Sequence, residues 1–247
     1  MPCHGPTAIL AAGVLAVALP AGAEPTHLMI RALSEDAKFI GDHTGGVEVT
    51  VRDAATRQVL SHGVIHGGTG DTTRIMTAPR GRGAILSDAE TAGFDAVIDI
   101  ARPTRVEVEA HGPLGLPASA ITVRSEAWVA PGQAVAGDGW VLRFPGLLIT
   151  PAIARTAEGG LRLDAKVTMM CGCPISPGGL WDEANYHIDA DVLDRGVVLA
   201  HARLAYAGQP SQFTAQLPRQ DGRALTVRII AVQTNAPNTG VVELPVP

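Results

Sequence analysis

Apolar side chains recur at every second position through most of this chain, the period of a strand with one buried face. Val47, Val49 and Val51 alternate with Glu48, Thr50 and Arg52. Phe94, Ala96, Ile98 and Ile100 repeat the pattern, as do Val106 and Val108 with Glu107 and Glu109 on the outside. Ile121 and Val123 open a further strand that runs to Val129. In the second half, Leu161, Leu163, Ala165, Val167 and Met169 alternate with Arg162, Asp164, Lys166 and Thr168. Tyr186 to Val192, Val198 to Tyr206, Phe213 to Leu217 and Leu225 to Ala231 do the same, and Val241 to Val246 is a last short strand. Turn chemistry separates the runs: Gly45-Gly46, Asp53-Ala54-Ala55-Thr56, Pro145-Gly146 and Asp194-Arg195-Gly196. Residues 74–93 carry no clear period, and Pro79, Gly81 and Gly83 break any helix there.

No stretch holds a helical period, so the pattern predicts an all-β protein of two sandwiches. The expected division is residues 24–130 for the first and 140–247 for the second. A linker over 131–139, from Pro131-Gly132 to Gly137-Asp138-Gly139, separates them. Val47-Glu48-Val49-Thr50-Val51-Arg52-Asp53-Ala54-Ala55-Thr56 resembles the strand-and-turn opening of tandem immunoglobulin-like or transthyretin-like sandwiches in exported bacterial proteins. That resemblance implies architecture; function does not transfer between such folds.

Residues 1–23 read as a signal peptide. Ala8 to Leu19 is an apolar run too short to span a bilayer, Pro20 breaks it, and Ala21-Gly22-Ala23 supplies the small residues a signal peptidase needs. The expected mature chain starts at Glu24, in a periplasmic or secreted and therefore oxidising location. Cys3 precedes the apolar run and is not placed as a lipoprotein cysteine. No later stretch is long enough for a membrane-spanning helix.

Composition narrows the partners. Of 247 residues 46% are apolar, enough for real cores, while 28 glycines and 18 prolines fit a turn-dense β protein. Aromatic residues are only 4%, against nucleic-acid stacking surfaces or an aromatic platform for sugars. The formal net charge is −5 and the basic residues form no run, so nucleic acid and anionic lipid are excluded as expected partners.

The chemical signal is Met169-Met170-Cys171-Gly172-Cys173-Pro174, which holds both cysteines of the expected mature chain. If β structure runs unbroken, Met169, Cys171 and Cys173 share the inward face and Met170 the other. Three uses follow. The cysteines can simply finish a core stripe. They can form a Cys171–Cys173 disulfide, structural or redox-active; residues i and i+2 of a strand lie roughly 6.5–7 Å apart, so Gly172 must bend the chain to close it. Or Cys171 and Cys173, with Met169, can hold copper(I), since two thiolates and a thioether suit a soft ion. The expected function is an exported binding protein that handles a soft metal through this Cys-x-Cys site. The alternatives are a scaffold or adhesion-type sandwich and a thiol–disulfide redox protein. The expected partner is the metal ion or another exported protein.

Other motifs are thin. Gly67-Gly68-Thr69-Gly70-Asp71-Thr72 lacks the Gly-Lys-Ser/Thr ending of a phosphate loop and reads as a polar turn. Asp71, Asp88 and Glu90 lack calcium-loop spacing. His62, His66 and His201 read as solvated, and His187, the nearest imidazole to the cysteines in sequence, alternates out of the core with Tyr186 and Ile188. Pro25 removes the N–H that an amino-terminal copper site around His27 would need. Trp181, after a glycine loop, plugs a sandwich end or shields the thiols. No Ser/His/Asp set, His-Glu-x-x-His or carboxylate pair points to hydrolysis.

Overall fold

Each main run of period-2 alternation becomes strand, though some ends fall short: Ile100 lies beyond β-structure and Leu204 interrupts it. In the computed structural model, which describes Met1, residues 25–220 and residues 225–247, fifteen strands are present. The expected leader and its cleavage point before Glu24 lie outside the described residues. The strands of the first unit are β1 (Thr26–Ser34), β2 (Val47–Asp53), β3 (Val59–Ile65), β4 (Phe94–Ile98), β5 (Thr104–Gly112), β6 (Ile121–Val129) and β7 (Ala134–Phe144). Those of the second are β8 (Leu147–Arg155), β9 (Leu161–Met169), β10 (Tyr186–Asp194), β11 (Val197–Arg203), β12 (Ala205–Tyr206), β13 (Gln212–Leu217), β14 (Leu225–Gln233) and β15 (Thr239–Pro245). No described helix is long and apolar enough to cross a membrane.

The chain is all-β and folds as two tandem sandwiches. In the second, one sheet runs β12-β13-β9-β8 and the other β11-β10-β14-β15. Counted from β8, that is the ABED and C′CFG order of an immunoglobulin sandwich. In the first, β3-β2-β5-β6 repeats the C′CFG sheet, and β4-β1-β7 faces it. The position flanking β1, which the first strand of such a sandwich would occupy, is taken by β7, parallel to β1 from His27↔Ala134 to Ser34↔Phe144.

That pairing corrects the expected division. Residues 131–139 are not a free linker: most of them are strand, and Val135 packs on the first core. Trp140 to Phe144, expected in the second sandwich, complete the first, with Leu142 and Phe144 buried beside Leu28, Ile30 and Ala32. The chain crosses between sandwiches at Pro145-Gly146. Residues 131–139 mimic a linker because Pro131-Gly132 turns the chain into β7 and Gly137 and Gly139 lie in a bulge, where the β1–β7 register shifts between Leu28 and Ile30.

Two cores result. One gathers Leu28, Val47, Val49, Val51, Val106 and Val108; the other Leu163, Val167, Ile188, Val192, Phe213 and Ile229. Glu107, expected outside, is buried because Arg57 covers it at 2.7 Å. The sandwiches also share residues across their seam. Ala37 of the first belongs to the second core, while Leu148 and Met170 of the second belong to the first. Polar contacts fix the seam: Asn238, fully buried, donates to Glu35 O at 3.0 Å and Gln233 Oε1 at 2.8 Å and accepts from Gly146 N at 2.8 Å.

Candidate functional site

β9 ends at Met169, and there the chain reverses. Gly172 N donates to Met169 O at 2.8 Å, closing a turn over Met169-Met170-Cys171-Gly172. Gly172 takes a φ of +78°, a left-handed conformation that side chains resist. Met169 N then donates to Cys173 O at 3.1 Å, and Thr168 pairs with Pro174. The expected unbroken strand through Cys173 is therefore a turn and a return. Ser211 holds the return in place: its N–H donates to Ile175 O at 2.7 Å, its hydroxyl accepts from Ile175 N at 3.0 Å, and its carbonyl accepts from Val167 N at 2.8 Å.

The bend brings Cys171 and Cys173 to a Cα separation of 5.4 Å, with their sulfurs at disulfide-bonding distance. Both join Met169 in the second core, whereas Met170 turns into the first. The turn thus straddles the seam. Cys171 is 1% exposed and Cys173 6%. An open cleft of about 350 Å³ lies against the pair, lined by Lys38, His43, Thr69, Cys171, Gly172, Cys173 and Pro174. A smaller cleft of about 150 Å³ shares His43 and Gly172, with Lys166 and Thr168 on its wall.

The first sandwich contributes Lys38, His43 and Thr69, none of them legible as site residues in the sequence. His43 sits in a short turn over Asp42–Thr44. Asp42 anchors it: the carboxylate meets His66 Nδ1 at 2.8 Å and accepts from Gly67 N at 3.1 Å. The His66 hydrogen bond, then the Gly67 N–H, hold the Asp42 carboxyl below its ordinary value. Lys38 Nζ donates to Thr72 Oγ1 at 3.0 Å and Gly70 O at 3.3 Å, which fixes the Gly67–Thr72 loop at the cleft's edge.

Met169 lies with the cysteines, but its thioether already has a partner. Tyr186 Oη donates to Met169 Sδ at 3.2 Å. Burial, then the Asp36 carboxylate, push the Tyr186 phenol well above its ordinary value, so the hydroxyl keeps its proton. Trp181 folds back onto the same core and donates Nε1–H to Asp36 O at 2.8 Å. It is buried in the second core and hydrogen-bonded to the neighbouring unit. Among the described residues no three His, Cys, Asp or Glu side chains cluster as a metal-ligating group.

The remaining sequence candidates disperse. His187 is exposed, on the side of β10 opposite Tyr186 and Ile188. His62 meets Glu48 at 3.1 Å, His201 meets Asp191 at 2.9 Å and His27 meets Asp95 at 3.0 Å, each on its own sheet face. Asp71 caps Arg74 N at 2.7 Å and Asp88 binds the Thr91 hydroxyl at 2.6 Å, so each serves its own local turn.

No protein-family model matches the chain. No curated protein matches it either. Among solved structures, the crystal structure of ICOS in complex with ICOS-L and an anti ICOS-L VNAR domain is similar at 7% identity, over 89% of this chain and 94% of that one, with a TM-score of 0.24. A likeness at that score carries no argument, and the fold rests on the sheet orders above.

Proposed function

We propose that this is a thiol–disulfide exchange protein of an oxidising, extracytoplasmic compartment, working through Cys171 and Cys173. One observation carries the reading: two cysteines separated by a single residue stand at bonding distance beside an open cleft between two sandwiches. A cross-link this short removes almost no freedom from the unfolded chain, whereas closing a fifteen-residue loop is worth about 3 kcal/mol. Stapling the fold is therefore a poor use for it. Lys38 and His43 on the cleft wall supply a cation and an imidazole that favour a departing thiolate.

The reaction balances with a dithiol of another exported protein as co-substrate. A partner thiolate attacks one sulfur of the pair; the Cys171–Cys173 bond breaks and the other sulfur leaves as thiolate. The partner's second thiol then attacks the mixed disulfide. The partner ends as a disulfide, and Cys171 and Cys173 end as thiols with the two electrons and two protons. The reverse sequence oxidises the protein.

Equilibration of the native protein in glutathione buffers, followed by thiol counting, tests this. The expected result is reversible opening to two thiols, with a reduction potential between about −120 and −270 mV, the span of known exchange proteins. Thiols that appear only after denaturation would leave a scaffold with a structural cross-link. Export is tested separately by amino-terminal sequencing of secreted material, expected to begin at Glu24.

A further inference from the structure

The first sandwich carries a further cleft, of about 340 Å³, lined by Asp53, Ala55, Arg102, Pro103, Thr104, Arg105 and Trp128. It lies at the far end of β5 from the cysteines. β5 runs from Thr104 at this cleft to Gly112, and the segment after it meets the His43 turn through Gly115 N and Thr44 O at 2.9 Å. Eight steps of strand, roughly 27 Å, separate the two ends of β5.

Trp128 is the anomaly here. It is 69% exposed, the largest apolar side chain left to solvent in the described part of the chain. The other two tryptophans are used: Trp140 Nε1 donates to Ser125 Oγ at 3.1 Å and Trp181 Nε1 to Asp36 O. The Trp128 indole N–H has no partner among the described residues. Arg105 is its directly opposed residue across β5 and β6, so both side chains stand on one face of the sheet. Arg105 is 53% exposed and reaches Glu126 at 3.4 Å. Arg102 enters from the turn before β5, facing Asp53. The Asp53 carboxylate is already committed, accepting from Ala55 N at 2.8 Å and Thr56 N at 2.9 Å.

We infer that this cleft binds a ring that bears a carboxylate, with the ring face on Trp128 and the carboxylate between Arg102 and Arg105. An indole face and the Pro103 ring offer an apolar wall to a flat ligand. Guanidinium groups pair with carboxylates through two parallel hydrogen bonds, a geometry an ammonium group lacks. One indole with two guanidiniums is a site for a single acidic ring, unlike the aromatic platform that the low aromatic content excludes. Two sources carry this chemistry: a uronic-acid sugar and an aromatic acid.

The test titrates the full chain with trigalacturonate and with benzoate, following tryptophan fluorescence and heat, with galactotriose as the neutral control. Saturable binding of either acid supports the inference and tells the source. Trp128→Ala and Arg102→Ala are each expected to weaken it at least about tenfold. Both positions are exposed, and unchanged melting curves establish that the variants fold. Binding of neither acid, equal binding of galactotriose, or affinity unmoved in Trp128→Ala overturns it. The Cys171→Ser/Cys173→Ser double variant keeps this binding, so the site stands or falls independently of thiol exchange.

Discussion

Gly172 of the second sandwich presses its α-carbon against the imidazole of His43 from the first. A methyl group on Gly172 would stand 2.9 Å from His43 Nε2 and 3.1 Å from Thr44 Cγ2. Glycine here answers two demands, the +78° backbone and the close approach of the neighbouring unit. Gly172→Ala is expected to cost about 1–3 kcal/mol in urea unfolding, the lower figure being the backbone alone. Adding His43→Ala removes the ring from the methyl's path, so the double variant should be less destabilised than the sum of the singles. Strict additivity would mean that the two sandwiches do not meet at this point.

The two cysteines are buried to different degrees. Cys173 is 6% exposed and Cys171 1%. Cys171→Ser leaves a lone thiol at the better exposed position and is expected to trap mixed disulfides with a small aromatic disulfide reagent. Cys173→Ser leaves the deeper thiol and should react slower, on the order of tenfold. Stopped-flow absorbance reads both rates; equal rates, or the reverse order, refute Cys173 as the more accessible of the two positions.

The fold was legible because burial imposes period 2. Val47, Val49 and Val51 are fully buried, and Leu163, Ala165 and Val167 likewise, as alternation required. What alternation cannot carry is a partner far along the chain. The parallel pairing of β7 with β1 joins residues about a hundred positions apart, and the glycines of its bulge look local and loop-like. The candidate site was half legible for the same reason. Cys171, Cys173 and Met169 do share a core, and the bend at Gly172 was demanded by disulfide geometry. Extending the strand past Met169 was an error of range: the turn depends on Gly172 and on Ser211, which is remote in sequence. Lys38 and His43 gave no signal, because only the packing of one sandwich on the other brings them to the cysteines.

Copper(I) binding by the reduced protein separates two of the sequence readings. Met169 was expected as a third ligand, but its sulfur accepts the Tyr186 hydroxyl at 3.2 Å. Any copper(I) taken up by the dithiol is therefore expected to use the two thiolates alone. Affinity measured by competition with a chromophoric chelator should change by less than about twofold in Met169→Leu and collapse in Cys171→Ser. A large loss in Met169→Leu would show that the tyrosine yields its place to the metal.

Tyr186 also sets an alkaline limit. Burial and the Asp36 carboxylate raise its phenol above the ordinary value, so the folded chain holds a proton that the unfolded chain releases. Its contribution is fully present below the unfolded value of about 10 and is lost as pH rises beyond it. Urea midpoints of the wild type should fall on raising pH from neutral to about 11 more steeply than those of Tyr186→Phe. Parallel curves would place the alkaline loss elsewhere.

Asp138 sets an acid limit in the first sandwich. It lies in β7, and its carboxylate accepts from Leu86 N at 2.9 Å and Ser87 N at 2.7 Å, tying the irregular segment before β4 to the strand that closes the sheet. Burial works against its charge, but those two N–H groups, then the Ser87 hydroxyl and Arg31, outweigh it and hold the carboxyl below its ordinary value. A depressed folded value means that the unfolded chain binds the proton first as pH falls. The stabilisation is complete above the unfolded value of about 3.9 and disappears as pH drops through the folded one. Asp138→Asn keeps an acceptor oxygen and removes the charge, so it should cost about 1 kcal/mol at neutral pH. The gap between variant and wild type should then begin to shrink as pH falls below about 4 and close once pH has passed the lower folded value, where the wild-type carboxyl is neutralised too. A gap that stays constant across that range would assign the loss to geometry and leave the charge with no part in holding the segment.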